Sequence, residues 1–186
     1  MVYDRLLLAT KRAALPFVAT LLPLLQGIFQ RHSYASCLDT LAVVVEVFAP
    51  NSNEEMWKAI SQTLDTMVEA CLRRVQHGEL SQHAEVLRAL YDLEHKCLVF
   101  IPQLLVTSAT AFPSSLQALP FTLRASERDS LRSMLVFISY LFNPGAKAST
   151  RPGWQQLEGR IDWAIQTHGE ALTNAFLFAA ADTCPR

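Results

Sequence analysis

The sequence predicts an all-α protein, an α-solenoid of HEAT-like helical repeats running through residues 1–186 as a single segment. Three observations carry that expectation. Apolar residues recur at steps of three and four along most of the chain, which lines one face of a helix at a time. Only six glycines occur, and no alternating stretch is long enough for a strand in a sheet. A unit of helix, short loop and returning helix is written three times and followed by one unpaired helix. The second helix of each unit starts near residues 34, 82 and 127, giving spacings of 48 and 45. These lie at and just beyond the upper end of the about 40–47 residues of HEAT-type repeats.

The elements follow from local signals. Residues 2–15 hold Leu6, Leu7, Leu8 and Leu15 and suggest a first helix. Pro16 suits the first turn of the next, which runs to Arg31 with a kink expected at Pro23. After a turn at His32-Ser33, Tyr34, Leu38, Leu41, Val45 and Phe48 define one helical face, ended by Pro50. Ser52 with Glu55 fits a capping box for a helix carrying Met56, Ile60, Leu64, Met67, Cys71, Leu72 and Val75. Arg73 and Arg74 complement its C-terminal dipole, and Gly78 stops it. Ser81 opens the partner helix, whose face is Val86, Leu90, Leu93, Cys97, Leu98 and Ile101, ended by Pro102. Residues 102–112 are apolar without a clear period. Pro113 starts a short helix over Ser114–Arg124, and Ser126 with Asp129 offers a second capping box for Leu131, Met134, Leu135, Ile138, Leu141 and Phe142. Asn143-Pro144-Gly145 stops that helix. A polar, basic and flexible loop is expected over 143–153. Trp154, Leu157, Ile161, Ile165, His168, Leu172, Phe176 and Ala179 mark a long last helix. Neither end carries a polar cap, so a piece of a longer array is expected, with Ile161, Ile165, Leu172 and Phe176 left exposed on the last helix.

Charge and cysteine usage narrow the function. A net charge of −1 disfavours direct nucleic-acid binding, which asks for a basic face. Cys37, Cys71, Cys97 and Cys184 lie 26 or more residues apart with no CxxC pair, so reduced core thiols are expected rather than a disulfide or zinc framework. Ala13–Gln30 and Cys97–Leu123 carry no charge, and a helical membrane protein built on them is a competing reading. Prolines and polar residues interrupt both, and no secretory leader opens the chain, so no membrane span is expected.

No Gly-rich phosphate loop, HExxH or GxSxG motif occurs, and neither catalysis nor a cofactor is expected. His32, His77, His83, His95 and His168 are scattered, and His168 fits a core or interface position better than a ligand role. Glu94, His95 and Cys97 are too close in sequence to converge from one helix, whose residues step about 100° apart. Trp57 and Trp154 read as inter-helix packing. In a solenoid the polar sides of equivalent helices line up into one surface. Arg88, Asp92, Lys96, Arg128 and Arg132, which lie off the apolar faces of the second helices, are therefore the candidate partner-binding residues.

The stretch Leu21–Phe48, LLPLLQGIFQRHSYASCLDTLAVVVEVF, resembles the C-terminal half of the transportin-SR and importin relatives, importin-beta superfamily nuclear transport receptors. The shared pattern is a helix ending in an aromatic and Gln, a turn at Gln30-Arg31-His32, a Ser pair (Ser33, Ser36) and a hydrophobic helix. Leu90–Pro102, Ser126–Phe142 and Gly153–Cys184 follow in the order of that family. The resemblance implies the cargo-binding part of a nuclear import receptor, holding protein cargo without catalysis. Ran GTPase and nucleoporins would be met through the full-length receptor, and the location would be cytoplasm and nucleus. The Ran-binding arch of such receptors has no counterpart in these residues. In transportin-SR the Pro-ended helix is arginine-rich and associated with Arg-Ser-rich cargo. The matching positions are Asp92, Lys96 and Phe100, of which only Lys96 is positive. The alternative is a HEAT-type scaffold of a kinase, phosphatase or vesicle assembly.

Overall fold

A computed structural model describes residues 15–48, 52–143 and 153–183. Among them the chain is all-helical, with eight α-helices and no strand. In chain order these are α1 (Leu15–His32), α2 (Ala35–Val47), α3 (Glu54–Gln76), α4 (Ala84–Phe100), α5 (Pro102–Thr107), α6 (Ala111–Thr122), α7 (Arg128–Phe142) and α8 (Trp154–Thr183), with a 3-10 turn at Leu80–His83. The helix expected over 2–15, the stop at Pro50, Cys184 and the loop expected over 143–153, save Asn143 and Gly153, lie outside the described residues.

The helices fall into two rows. One row is α1, α3, α6 and α8, with the short α5 tucked between α3 and α8. The other is α2, α4 and α7. Within a row each helix packs most heavily on the next member of that row, so the main neighbours are alternate rather than consecutive in sequence. The second-row helices start at Ala35, Ala84 and Arg128, spacings of 49 and 44, close to the sequence expectation.

Each helix buries the side its sequence periodicity marks, and the middle ones bury more. In α3 the expected Ile60, Leu64, Met67, Cys71, Leu72 and Val75 are all buried. In α4 the expected Leu90, Leu93, Cys97 and Leu98 are joined by Leu87, Ala89, Tyr91 and Glu94. A helix flanked on both sides within its row and covered by the other row has little free surface, so a single stripe understates it. Trp154 is fully enclosed, and Cys37, Cys71 and Cys97 are buried free thiols. Burial pushes the Cys71 thiol up to about 12 and also raises Cys37 and Cys97.

Several local expectations are corrected. The N-cap of α3 is Asn53, whose side chain accepts the Met56 N–H at 3.0 Å. Ser52 turns away and donates to the Phe48 carbonyl at 2.7 Å, so the Ser52–Glu55 box does not form. Ser81 lies in the 3-10 turn rather than at the start of α4. Pro102 ends α4 and also opens α5, a helix too short to show a period. Helix α6 begins at Ala111, ahead of Pro113, and α7 is preceded by Glu127, with no side-chain cap from Ser126. Helix α1 does run on through Pro23 to His32, as the sequence expects. Tyr34 is not a core residue. It is 56% exposed and stacked on His32, with ring centroids 5.2 Å apart. Between the two, Ser33 takes φ 52° and sends its N–H to the Phe29 carbonyl at 2.8 Å, closing α1 in the left-handed conformation usually given to Gly. On α8 the set expected to be exposed faces inward at Ile161 and Leu172. The exposed apolar residues are Trp163, Ile165, Leu177 and Phe178.

Candidate protein-binding surface

The row α2–α4–α7 carries all five sequence-derived candidates, and the structure divides them in two groups. On α4, Arg88 sends Nη2 to both carboxylate oxygens of Asp39 on α2, at 2.9 and 3.1 Å, and Nη1 to Asp92 at 2.9 Å. Two turns along, Lys96 Nζ meets Glu46 of α2 at 2.6 Å. Burial works against the charge on Arg88, but Asp39 and Asp92 outweigh it and hold the guanidinium more firmly protonated. Arg88 and Lys96 thus tie α2 to α4, while Asp92 braces Arg88 from its own helix. All four inter-helix partners keep a quarter to two fifths of their side-chain surface in solvent, which limits each bridge to about 1 kcal/mol.

Arg128 and Arg132 behave differently. They stand on the exposed face of α7 and make no ion pair or hydrogen bond among the described residues. Between them and the end of α7 runs an open groove of about 1170 Å³, floored by Leu131, Leu135, Val136 and Tyr140, with His95 of α4 at its edge. Leu135 and Val136 are 39% and 42% exposed. No carboxylate among the described residues lines the groove. Tyr140 is held edge-on between His95 and Trp154, at 5.3 and 6.4 Å between ring centroids. Burial lowers the His95 pKa, so at neutral pH the cations of the groove are the two arginines.

Beneath this surface lies a polar cluster that no sequence pattern announced. Glu94 is fully buried on the inner side of α4. It accepts a hydrogen bond from the Ser115 hydroxyl of α6 through Oε1, while Oε2 has no partner among the described residues. Desolvation pushes its pKa up to about 8, so the carboxyl is neutral at pH 7. Tyr91, one turn earlier, shares a 2.8 Å hydrogen bond with Thr122 and lies against Phe137. Glu94 sits on the same stripe as Leu90 and Cys97, and a period-based reading has no means of separating a buried acid from a surface one. Glu94 and His95 point to different neighbours, as their adjacency on a helix requires. No group of His, Cys, Asp and Glu among the described residues is arranged to hold a metal ion.

His168 is partly exposed and sits edge-on to Trp163, with ring centroids 5.8 Å apart. No described helix is long and apolar enough to cross a membrane, and the uncharged run Cys97–Leu123 is divided among α4, α5 and α6. No family model matches the chain, and no curated protein matches it either.

Proposed function

We infer that the chain is a protein-binding stretch of a HEAT-like α-solenoid, and within that class the cargo-holding part of a nuclear import receptor of the importin-beta type. The observation that carries the reading is the packing of alternate helices in two rows, α1–α3–α6–α8 and α2–α4–α7. Repetition of a helix pair builds a long surface from equivalent positions, which suits recognition of another macromolecule by shape and charge. The resemblance of Leu21–Phe48 to the transportin-SR group supports the narrower assignment. Under this reading the chain binds protein cargo without catalysis and moves between cytoplasm and nucleus. Ran and the nucleoporins would be met through the full-length receptor. Its α4 would not select Arg-Ser-rich cargo by charge, because Lys96, the one positive match, is already engaged by Glu46.

Proximity labelling from the natural gene product tests this. Ran and several nucleoporins are expected among the labelled proteins. A labelled set without either, drawn from the subunits of one kinase, phosphatase or vesicle complex, would overturn the receptor assignment in favour of a scaffold.

A further inference from the structure

We propose that the groove on α7 is a docking site for an acidic amphipathic helix of a partner protein, read by Arg128 and Arg132. The inference rests on the protein-binding reading above and names the chemistry of one partner. The molecule contains its own example of the arrangement. Helix α2 lies along α4 with apolar residues inward, and it sets Asp39 and Glu46 opposite Arg88 and Lys96. The exposed face of α7 offers the same elements with no helix on it among the described residues. Leu131, Leu135, Val136 and Tyr140 supply an apolar floor, and two arginines one turn apart supply the charge. Among the described residues those arginines have no carboxylate partner, and no Asp or Glu lines the groove to repel an acidic ligand. A helix carrying two carboxylates one turn apart, beside an apolar stripe, meets both requirements at once. Arg favours such ligands because its planar fork binds a carboxylate through two hydrogen bonds.

The test uses the full chain and labelled peptides of the same 15-residue length as α7. One is a Leu- and Ala-based amphipathic helix with Glu at positions i and i+4 of its polar edge. The other carries Lys at those two positions. Fluorescence anisotropy is expected to show the Glu peptide binding at least about tenfold more tightly, with the preference shrinking as salt rises. The double variant Arg128→Glu, Arg132→Glu should reverse the order and favour the Lys peptide. Its thermal melt should stay that of the parent, because both side chains are exposed and unpaired among the described residues. In the Val136→Ser variant, which adds no charge, binding of the Glu peptide should weaken about threefold through loss of apolar floor. Equal binding of the two peptides, or binding of neither, would overturn the proposal. So would self-association of the parent in sedimentation that the double variant abolishes, since a second copy would then be the occupant. If peptide preference fails while Ran and nucleoporins are still labelled, only the groove assignment falls. The opposite pattern removes only the receptor assignment.

Discussion

Asp65, in the middle of α3, accepts the backbone N–H of Ala111, the first residue of α6, at 2.8 Å. The same carboxylate takes the Ser108 hydroxyl at 2.6 Å and the N–H groups of Ala109 and Thr110 at 3.3 Å. A helix start normally finds its cap one to three residues upstream. Here the cap comes from another helix, 46 residues away in sequence. Asp65→Ala should therefore lower stability by about 2 kcal/mol, more than loss of a surface charge would. Hydrogen exchange should localise the loss of protection to the first turn of α6. Asp65→Asn keeps one acceptor oxygen and should lose less than half as much. An unchanged melting temperature in the alanine variant would sink the capping role.

Glu94 makes stability depend on pH. Its folded-state pKa is about 8 against an ordinary value of 4.5, so between those limits the native chain holds a proton that the unfolded chain has released. Raising the pH through that window therefore favours the unfolded state, and above pH 8 the loss is complete. The full effect is on the order of 5 kcal/mol. The melting temperature is expected to fall from pH 5 to pH 8. Glu94→Gln keeps an acceptor for Ser115 and removes the titration, so the variant should melt higher than the parent at pH 8 and lose that slope. Cys71, Cys97 and Tyr91 are buried close enough to feel the Glu94 charge but stay protonated throughout, and the lowered pKa of His95 acts in the opposite direction. The parent-minus-variant difference isolates the carboxyl.

The bridge from Arg88 to Asp39 should prove structural and modest. A double-mutant cycle with Arg88→Ala and Asp39→Ala is expected to give a coupling of about 0.5–1 kcal/mol in thermal unfolding. It should shrink as salt rises. Zero coupling would show that the bridge to Asp39 does nothing to hold α2 on α4.

Gly153 precedes α8 with φ +84°, and a Cβ there would stand 2.8 Å from Cα of Gln103 on α5. Both the backbone conformation and the close approach call for Gly. Gly153→Ala is expected to destabilise by at least about 1 kcal/mol and to loosen α8 from α5, seen as faster exchange in α5. A neutral result would show that the backbone shifts without penalty.

Much of the helical framework was legible in the sequence because amphipathic periodicity reports which side of a helix is covered. The stripes of α3 and α4 show this. Partnership was not legible. Arg74 looked like a cation completing its own helix dipole, yet its Nη2 reaches the Gln30 carbonyl at the end of α1, at 2.7 Å. Nothing in the sequence around Asp65 signals that its carboxylate caps a helix 46 residues on. Of the five candidate binding residues, three proved to be joined to neighbours and two stood free, a distinction set by which helices lie side by side. Ile161 and Leu172 were placed on the wrong side for the same reason. The long helix α8 has apolar residues on more than one side, and only contact with α5 and α6 decides which of them is covered.

Helix α3 holds the end of α1 through Arg74 and the start of α6 through Asp65. In mechanical terms it is the clasp of its row. Tension between α1 and α6 passes through these two side chains and the apolar seams beside them. Near the other end, Arg160 of α8 grips the Leu105 and Ser108 carbonyls at the close of α5, at 3.2 and 3.0 Å. The row is thus fastened end to side rather than only side to side. Under load, a row fastened this way is expected to yield first where a clasp lets go.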